Sequence, residues 1–503
     1  MDLFIQGCQE LFHISNFIYM NIGLLLGVIF GAIPGLTVIL CLVLFLPFTY
    51  SLAPIPSFMF LLGMYCAGSY GGSISAILIN TPGTPHAAAT MLDGYPMTQR
   101  GEGHKALNIA LYGSTFGGIF SALVLLFFAP QVSKFAQKLG TPEYFLVCAF
   151  GLTIIAGVSG KSLLKGVMAG AFGLFVSTIG LDPMTGGTRF IFNNINLYSG
   201  FDIVICLIGL FALSAIIGRA KKSDADSSDA GAIQEKVLKD GKGKITKEEL
   251  KRMSLPALLS AIIGVVVGII PGTGAAEAGF FSYDWARRIS KHKDEFGKGA
   301  VEGVVASETA NNAVTGATLI PLLTMGIPGD GSVALMLGAL MINGLTPGPR
   351  LFTDHGVTMY AIMVGLIFVN LFMFLQGRYL TGLFAKIIKI PPVILAPIIV
   401  IFCFAGAYSV KISMFDVGLT LIFAVVAYLL TKLECSVVPI LLGLVLGRMT
   451  EENFRRALII SDGSWSIFAS SPVCIAFLVL IAVTLFIIIR GKITESKSGG
   501  HHV

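Results

Sequence analysis

Residues 70–96 read YGGSISAILINTPGTPHAAATMLDGYP, and this stretch decides the fold. It continues an apolar run that starts near residue 57 and then meets a break of five residues: Asn80, Thr81, Pro82, Gly83 and Thr84. Proline removes a backbone donor and clashes with the preceding helical turn, while glycine tolerates almost any backbone conformation. The sequence therefore predicts a helix that ends close to Pro82.

The composition of the whole chain places such helices in a membrane. Of 503 residues, 55% are hydrophobic and only 12% are charged, whereas soluble domains carry about 25% charged residues. This composition excludes a soluble enzyme, because a water-exposed surface cannot be built from it. The net charge of +6 is what basic cytoplasmic loops produce, so it indicates no nucleic-acid partner. The eight cysteines show no paired spacing, and we interpret them as buried residues rather than disulfides or metal ligands.

Long apolar stretches run through the chain between short polar connections. Because lipid offers no partner to exposed backbone groups, we expect these stretches to be helical. They lie near 15–47, 57–80, 106–132, 142–158, 161–182, 201–218, 255–270, 313–342, 357–376, 387–410, 415–431, 436–447 and 464–490. Since one span needs roughly 20 apolar residues, we predict an all-α polytopic membrane protein with about 12 transmembrane helices.

One long polar segment, residues 219–254, divides the chain nearly in half. Its Lys and Arg content predicts a cytoplasmic linker, because short basic loops stay inside the cell. We therefore divide the chain into a first transmembrane repeat over 1–218, the linker, and a second repeat with C-terminal spans over 255–503.

The two halves share their helix-breaking motifs. The sequence GVIFGAIPG, which ends in Pro34 and Gly35, matches GVVVGIIPG, which ends in Pro271 and Gly272. Further along each half, Pro82-Gly83 falls where the second half has Pro328-Gly329. Two ordered Pro-Gly breaks in each half predict an internal duplication, and we expect the two repeats to be inverted in the membrane.

Broken helices at membrane depth persist only when they are buried in protein or line a wet cavity. Paired interruptions at corresponding places of two halves are the best sequence indication of a transporter binding site. The alternative is a set of kinks that serve packing alone. The polar residues that cluster beside each break favour the binding site.

These polar and break residues are the predicted substrate and ion ligands. In the first half they are Ser73, Ser75, Asn80, Thr81, Pro82, Gly83 and Thr84, and in the second half Glu308, Asn311, Asn312, Thr315, Pro328, Gly329 and Asp330. The spacing of Glu308, Asn311 and Asn312 places them on one helix face. For each Ser or Thr the alternative is a hydrogen bond to its own helix, and for Glu308 it is a charge in a loop.

The types of these residues suit a carboxylate that is carried together with a cation. Hydroxyl, carboxamide and carbonyl oxygens are ligands for a hard cation such as Na⁺. The first N–H groups after each helix break favour an anion, because the positive end of the helix dipole lies there.

At four places the sequence resembles the large membrane subunit of the tripartite tricarboxylate transporters. The resemblance rests on GAIPGLT at 31–37, the whole stretch 70–96, GIIPGTGAAEA at 268–278 and GIPGDGSVALMLGAL at 326–340. The stretch 70–96 is the most specific of the four, and length and hydropathy agree along nearly the whole chain.

The resemblance implies a permease of the bacterial inner membrane that works with a small membrane subunit and a periplasmic solute-binding protein. It implies import of di- or tricarboxylates or related organic acids, with Na⁺ or H⁺ as the coupling ion and no other cofactor. No phosphate-binding loop of the G-x-x-x-x-G-K-[ST] type occurs, so no ATPase is built in and we predict no enzyme. The alternative function is a passive anion channel.

Overall fold

A computed structural model describes residues 2–157, 163–219, 244–270, 273–387 and 392–498. The chain forms two compact units, and each unit takes segments from both halves of the sequence. The first unit consists of residues 1–133 and 219–406, and the second of 134–218 and 407–503. These units do not coincide with the predicted repeats over 1–218 and 255–503, which stay a prediction.

The described helices are numbered here along the chain. Up to residue 219 they are α1 (Asp2–Leu11), α2 (Ile14–Ala32), α3 (Val38–Phe45), α4 (Pro54–Ile79), α5 (Met91–Gln99), α6 (Gly103–Ala136), α7 (Thr141–Gly157), α8 (Leu163–Ser177), α9 (Ile203–Leu207) and, after a π-helical stretch, α10 (Ser214–Arg219). From residue 244 onward they are α11 (Lys247–Ile269), α12 (Ala275–Ile289), α13 (Val301–Ala317), α14 (Leu319–Met325), α15 (Gly331–Ile342), α16 (Leu351–Asp354), α17 (Gly356–Ile387), α18 (Pro392–Lys411), α19 (Met414–Lys432), α20 (Val438–Ile460) and α21 (Pro472–Ser498). Strands β1 (Gly180–Leu181) and β2 (Thr188–Arg189) pair antiparallel, with Gly180 opposite Arg189.

Among the described residues, 6 helices are long and apolar enough to cross a membrane, namely Ile14–Ala32, Pro54–Ile79, Gly103–Ala136, Lys247–Ile269, Gly356–Leu380 and Met414–Lys432. Shorter apolar helices accompany them, for example Gly331–Ile342 and Pro472–Phe486. The chain is therefore an all-α membrane protein with several spans.

Two helices of the first unit are buried along almost their whole length. Of the membrane-length window in α4, 94% is buried, and every residue of α13 is buried. Helices that are buried on all faces in a membrane protein contact other helices rather than lipid. Polar side chains on α4 and α13 therefore face protein, where ionisable residues are functional candidates.

Close helix contacts through glycine hold α4 against α2. A Cβ atom on Gly27 would lie 2.6 Å from the carbonyl oxygen of Met64, and one on Gly31 would lie 2.3 Å from that of Gly68. Any side chain at either glycine would overlap this backbone, so small residues set the distance between the two helices.

The contact of α11 with α13 repeats this arrangement position by position. A Cβ atom on Gly264 would lie 2.4 Å from the carbonyl oxygen of Ala310, and one on Gly268 would lie 3.1 Å from the Cα atom of Val314. The two glycines follow Gly27 and Gly31 by 237 residues, and their partners follow Met64 and Gly68 by 246 residues. The helix pairs of the two halves thus make corresponding contacts.

Two of the predicted apolar spans are interrupted. The stretch 15–47 contains α2, which ends at Ala32, and the separate α3, because Pro34 and Gly35 intervene and Gly35 has φ +84°. The stretch 313–342 contains the end of α13, then α14 and α15. Pro271 and Gly272, the corresponding predicted break of the second half, lie outside the described residues.

The predicted linker over 219–254 ends too late. Helix α11 begins at Lys247, where the Thr246 side chain accepts a hydrogen bond from the Glu249 N–H and the Glu249 carboxylate accepts one from the Thr246 N–H. This reciprocal capping satisfies donors that a helix start leaves free. Residues 220–243 lie outside the described residues.

The second unit packs α8 against α20 and carries a charged cluster beside its hairpin. Asp182 accepts hydrogen bonds from Arg189 and Arg455, both at 2.9 Å, and from the Thr185 hydroxyl at 2.5 Å. Both arginines also reach Glu451, at 2.7 and 3.2 Å. The cluster ties the hairpin to α20.

Candidate functional site

A row of three polar side chains runs along one face of α4. Tyr65, Ser69 and Ser73 are spaced four residues apart, so their side chains lie above one another on the helix. All three are 0% exposed. We name these three residues the polar row.

The first member of the polar row binds the second break of the second half. The Tyr65 hydroxyl donates a hydrogen bond to Oδ2 of Asp330 at 2.7 Å and lies 3.4 Å from the Thr318 hydroxyl. The other carboxylate oxygen of Asp330 accepts the N–H of Val333 at 2.8 Å and so caps α15. Asp330 therefore joins a helix start in the second half to α4 in the first.

The second member of the polar row binds the segment that follows the break of its own half. The Ser69 hydroxyl lies 2.9 Å from Nδ1 of His86. His86 belongs to a short 3₁₀ turn, Pro85–Ala87, directly after the break. One face of α4 thus contacts chain segments beside both broken helices.

The third member of the polar row binds the buried carboxylate of α13. Oε1 of Glu308 accepts hydrogen bonds from the hydroxyls of Ser73 and Thr90, and Oε2 accepts one from Ser114 at 2.7 Å. The donors come from α4, from the residue before α5, and from α6, and Glu308 itself is 0% exposed. Glu308 thus lies on a buried helix rather than in a loop, and its role as a substrate or ion ligand stays a prediction.

The break after α4 folds back onto the helix it ends. Asn80 has φ +54° and terminates α4 in the left-handed conformation, and the N–H of Gly83 donates to the carbonyl of Gly72 at 3.2 Å. A Cβ atom on Gly83 would lie 1.8 Å from the carbonyl oxygen of Gly31. Gly83 is therefore required for a close approach of the break to α2.

The break after α14 has the same form. Gly326 ends α14 with φ +76°, and the buried Pro328 and Gly329 follow. A Cβ atom on Gly329 would lie 2.8 Å from the side chain of Thr318. Both Pro-Gly pairs thus fold back against buried helical residues.

The structure places the predicted site residues in different environments. Asn80 and Thr81 are exposed at the tip of α4, and the Thr81 hydroxyl donates to the Ile79 carbonyl at 3.3 Å. Ser75 and Thr315 donate to carbonyls of their own helices, at 3.2 and 2.7 Å, as the back-bonding alternative predicts. These four side chains are not part of the hydrogen-bonded groups around the polar row.

The structure places a carboxylate at the start of α15, where the sequence predicts an anion site. The carboxylate of Asp330 already accepts the N–H of Val333 and places a negative charge at this helix start. This carboxylate disfavours a second anion at the helix start, and an anion site there stays a prediction. At the corresponding place in the first half only the three-residue turn Pro85–Ala87 follows the break.

Several buried polar atoms of α13 and of the break after α4 have no hydrogen-bond partner among the described residues. They are Oγ1 of Thr84 and Thr309, Oδ1 of Asn312, and both amide atoms of Asn311. The Asn311 amide lies near the Glu308 carboxylate, but its geometry completes no hydrogen bond. Leaving such a buried group unpaired costs about 1–3 kcal/mol. These atoms are available to a polar ligand.

Among the residues of these hydrogen-bonded groups that sequence reasoning missed are Tyr65, Thr90 and Ser114. Tyr65 could have been found, because it stands four and eight residues before Ser69 and Ser73 on the same helix face. Thr90 and Ser114 gave no such signal. Their approach to Glu308 depends on how α5 and α6 pack against α13.

Together these features define a class of protein: a multi-pass membrane protein with a buried polar site between helices, beside two helix breaks. The chain belongs to the tripartite tricarboxylate transporter TctA family, whose family model matches residues 17–442. The resemblance found in the sequence is thereby confirmed. The chain is thus a component of a transporter built with partner subunits, in a family of transporters rather than enzymes.

Two relatives from Agrobacterium vitis are similar to this chain. One is an uncharacterized 52.8 kDa protein in the TAR-I ttuC' 3' region, 35% identical over 481 residues, which cover 95% of this chain and 94% of the relative. The other is an uncharacterized protein in the TAR-II ttuC' 3' region, 39% identical over 234 residues, which cover 46% of this chain and 97% of the relative. No solved structure matches the chain.

Proposed function

We propose that this chain is the permease subunit of a secondary active importer for di- or tricarboxylates or related organic acids. It takes its substrate from a periplasmic solute-binding protein, works with a small membrane subunit in the bacterial inner membrane, and is driven by a Na⁺ or H⁺ gradient. Membership of the tripartite tricarboxylate transporter family supports the substrate class and the partners.

One observation carries this proposal: segments beside both broken helices contact a single buried face of α4. Tyr65 reaches Asp330 at the start of α15, and Ser69 reaches His86 after the first break. Polar groups inside a membrane protein are costly and mark transport pathways. Paired helix breaks from two halves that approach the same buried polar face are the arrangement expected of a transporter site.

The correspondence between the halves points to the atoms that bind substrate. The 246 residues that separate Pro82 from Pro328 also separate Tyr65 from Asn311 and Thr84 from Asp330. Tyr65 and Asp330 form a hydrogen bond with each other. Their counterparts Asn311 and Thr84 have buried polar atoms without a hydrogen-bond partner among the described residues. We infer that Asn311 and Thr84 take their partners from the transported molecule.

The chemistry of this pair suits an organic acid. The amide of Asn311 and the hydroxyl of Thr84 can each donate to a carboxylate oxygen, and both can accept from a substrate hydroxyl. The nearby Glu308 would repel a carboxylate unless a cation or proton accompanies the substrate. This need for neutralisation supports a symporter.

The matching glycine contacts of α2 with α4 and of α11 with α13 support an internal duplication. In the proposed arrangement the two repeats are inverted, which would bring their breaks together near the bilayer midplane. Some of the predicted site residues then determine the backbone path at the breaks. They are Asn80, Thr81, Pro82, Gly83, Pro328 and Gly329.

Transport in proteoliposomes tests the function. This chain is reconstituted with its small subunit and binding protein, and uptake of radiolabelled citrate and succinate is followed with and without imposed Na⁺ or proton gradients. We expect accumulation above the external concentration only when a gradient is present. Flux that equalises the two concentrations and ignores every ion gradient would instead establish the passive anion channel.

A pair of asparagine variants tests the site. Asn311→Ala should weaken substrate binding and raise the concentration needed for half-maximal uptake, because it removes both unpaired amide atoms. The matched control is Asn196→Ala, since Asn196 is exposed in the second unit. Equal uptake kinetics in the two variants would show that Asn311 does not contact substrate.

A further inference from the structure

The carboxylate of Glu308 has an unusual set of partners for a buried acid. In the part of the chain that the structure describes, the hydroxyls of Ser73, Thr90 and Ser114 donate hydrogen bonds to it, and the Asn311 amide lies nearby. The carboxylate is completely buried in the first unit. The described residues include no Lys, Arg or His in an ion pair with it.

None of the described titratable groups on the elements packed around Glu308 forms an ion pair with it. The basic groups on these elements include Arg252 of α11, which pairs with Glu295 and Glu302, Lys105 of α6, which pairs with Glu102 and Glu249, Arg288 of α12, which pairs with Asp284, and His86, whose ring contacts Ser69. Other basic residues of these helices are His104, Lys134, Lys247, Lys251 and Arg287. Asp93 of α5 accepts the N–H groups of residues 299 and 300 at 2.8 and 2.9 Å. Further titratable groups on these elements include Tyr65, Cys66 and Tyr70 of α4, Tyr112 of α6, and Glu277 and Tyr283 of α12. Asp330 at the start of α15 binds Tyr65.

A buried carboxylate without a counter-charge is costly in its ionised form. The desolvation penalty of an ion in a protein interior amounts to several kcal/mol even after relaxation. Three charge-assisted hydrogen bonds offset part of that cost. The ionised and the protonated form of Glu308 are thus brought close in free energy.

Hydroxyl partners suit both protonation states. A Ser or Thr hydroxyl carries one donor and two acceptor lone pairs, and its hydrogen rotates freely. The three hydroxyls donate to the carboxylate when Glu308 is ionised. When it is protonated, one hydroxyl accepts the new O–H, with no change of side-chain position. A guanidinium group in one of these positions could not accept it, because it carries donors only.

We propose that Glu308 is the proton-carrying group of this transporter, an inference that rests on the proposed function. The carboxylate takes up one proton from the outer solution to form the neutral acid, and the same proton leaves to the inner solution as the carboxylate forms again. Because Ser73 belongs to the polar row, the proton is bound on the α4 face that also contacts the segments beside both breaks. The neutral acid lets a substrate carboxylate approach Asn311 and Thr84 without repulsion.

The first experiment uses the wild-type complex in sodium-free proteoliposomes that contain a pH-sensitive dye. We expect substrate added outside to acidify the lumen, and an inward proton gradient to drive accumulation. Accumulation that needs Na⁺ and moves no protons would overturn the proton role of Glu308 while leaving the proposed import function intact.

The second experiment compares Glu308→Gln with wild type in two assays. Glutamine keeps the shape and the hydrogen-bonding capacity of the neutral acid, so substrate counterflow between equal pH values should persist. Proton-driven accumulation and lumen acidification should disappear, so that internal and external substrate concentrations become equal. The matched control is Glu10→Gln, which changes an exposed carboxylate and should behave as wild type.

Two results would contradict the inference in different ways. Proton-driven accumulation by Glu308→Gln at the wild-type level would show that another group carries the proton. Absence of gradient-driven substrate accumulation in the wild-type complex would overturn the proposed function itself, and the proton role with it. If Glu308→Gln fails to fold, substrate accumulation without proton movement in the wild-type complex still overturns the proton role of Glu308.

Discussion

Replacing Tyr65 by Phe tests whether the second break is held to α4 through a single hydrogen bond. The change removes the hydroxyl that lies 2.7 Å from Oδ2 of Asp330 and leaves the ring in place. Hydrogen bonds between neutral groups in membrane proteins contribute about 0.6 kcal/mol on average, whereas bonds to a charged acceptor contribute about 1.5–3 kcal/mol. Because the acceptor is a carboxylate, we expect the free energy of unfolding to fall by about 1.5–3 kcal/mol.

The assay is a double-mutant cycle with Tyr65→Phe, Asp330→Asn and the double variant. Unfolding is followed in mixed detergent micelles by titration with a denaturing detergent, and the four free energies give the coupling energy of the pair. We expect a coupling energy of at least about 1 kcal/mol, since the two side chains contact each other directly.

The control for this cycle is Tyr112→Phe. Tyr112 lies on α6 in the same unit and is 41% exposed, so loss of its hydroxyl should leave the unfolding free energy unchanged. Strict additivity of Tyr65→Phe and Asp330→Asn would refute the contact and, with it, the attachment of the second break to the polar row.

The remaining predictions concern one glycine and one loop carboxylate. Gly83→Ala should abolish uptake while leaving membrane insertion intact, because its methyl group would lie 1.8 Å from the Gly31 carbonyl oxygen. The control is Gly418→Ala, since no atom lies within 4 Å of the new methyl group. Wild-type uptake by Gly83→Ala would contradict the assignment of Gly83 to the site. Hydrogen bonds hold the pKa of Asp182 well below its usual range, and the bond from the Thr185 hydroxyl has the largest effect. A lowered folded-state pKa stabilises the protein above the unfolded-state pKa of about 3.9, and this stabilisation is lost as the pH falls further. Thermal unfolding temperatures should therefore fall more steeply below that pH in wild type than in Asp182→Asn, and identical pH profiles would count against the role of Asp182.

Part of the candidate site could be predicted because polar and ionisable residues are costly inside a membrane, so their positions in an apolar chain indicate a site. Glu308 stands in a helix of small and polar residues within an apolar chain, and an acid in such a place is a site candidate by default. Pro82 and Gly83 predict a helix break, because proline removes a backbone donor and glycine tolerates almost any backbone conformation. Asn80 and Thr81 were assigned by proximity in sequence, and the structure shows them exposed.

The amino-acid sequence by itself determined that the chain is a helical membrane protein with paired breaks, because hydropathy, proline and glycine act locally along the chain. Glycines such as Gly27 and Gly264 permit close helix contacts that larger residues forbid, but their partners, Met64 and Ala310, came from the structure. Only the tertiary structure decided which polar groups meet. Thr90 and Ser114 reach Glu308 from segments about two hundred residues away in sequence, and such contacts depend on the rotation and depth of each packed helix. A hydrogen bond forms only within a few tenths of an ångström and a limited range of angles, and no local pattern specifies that geometry.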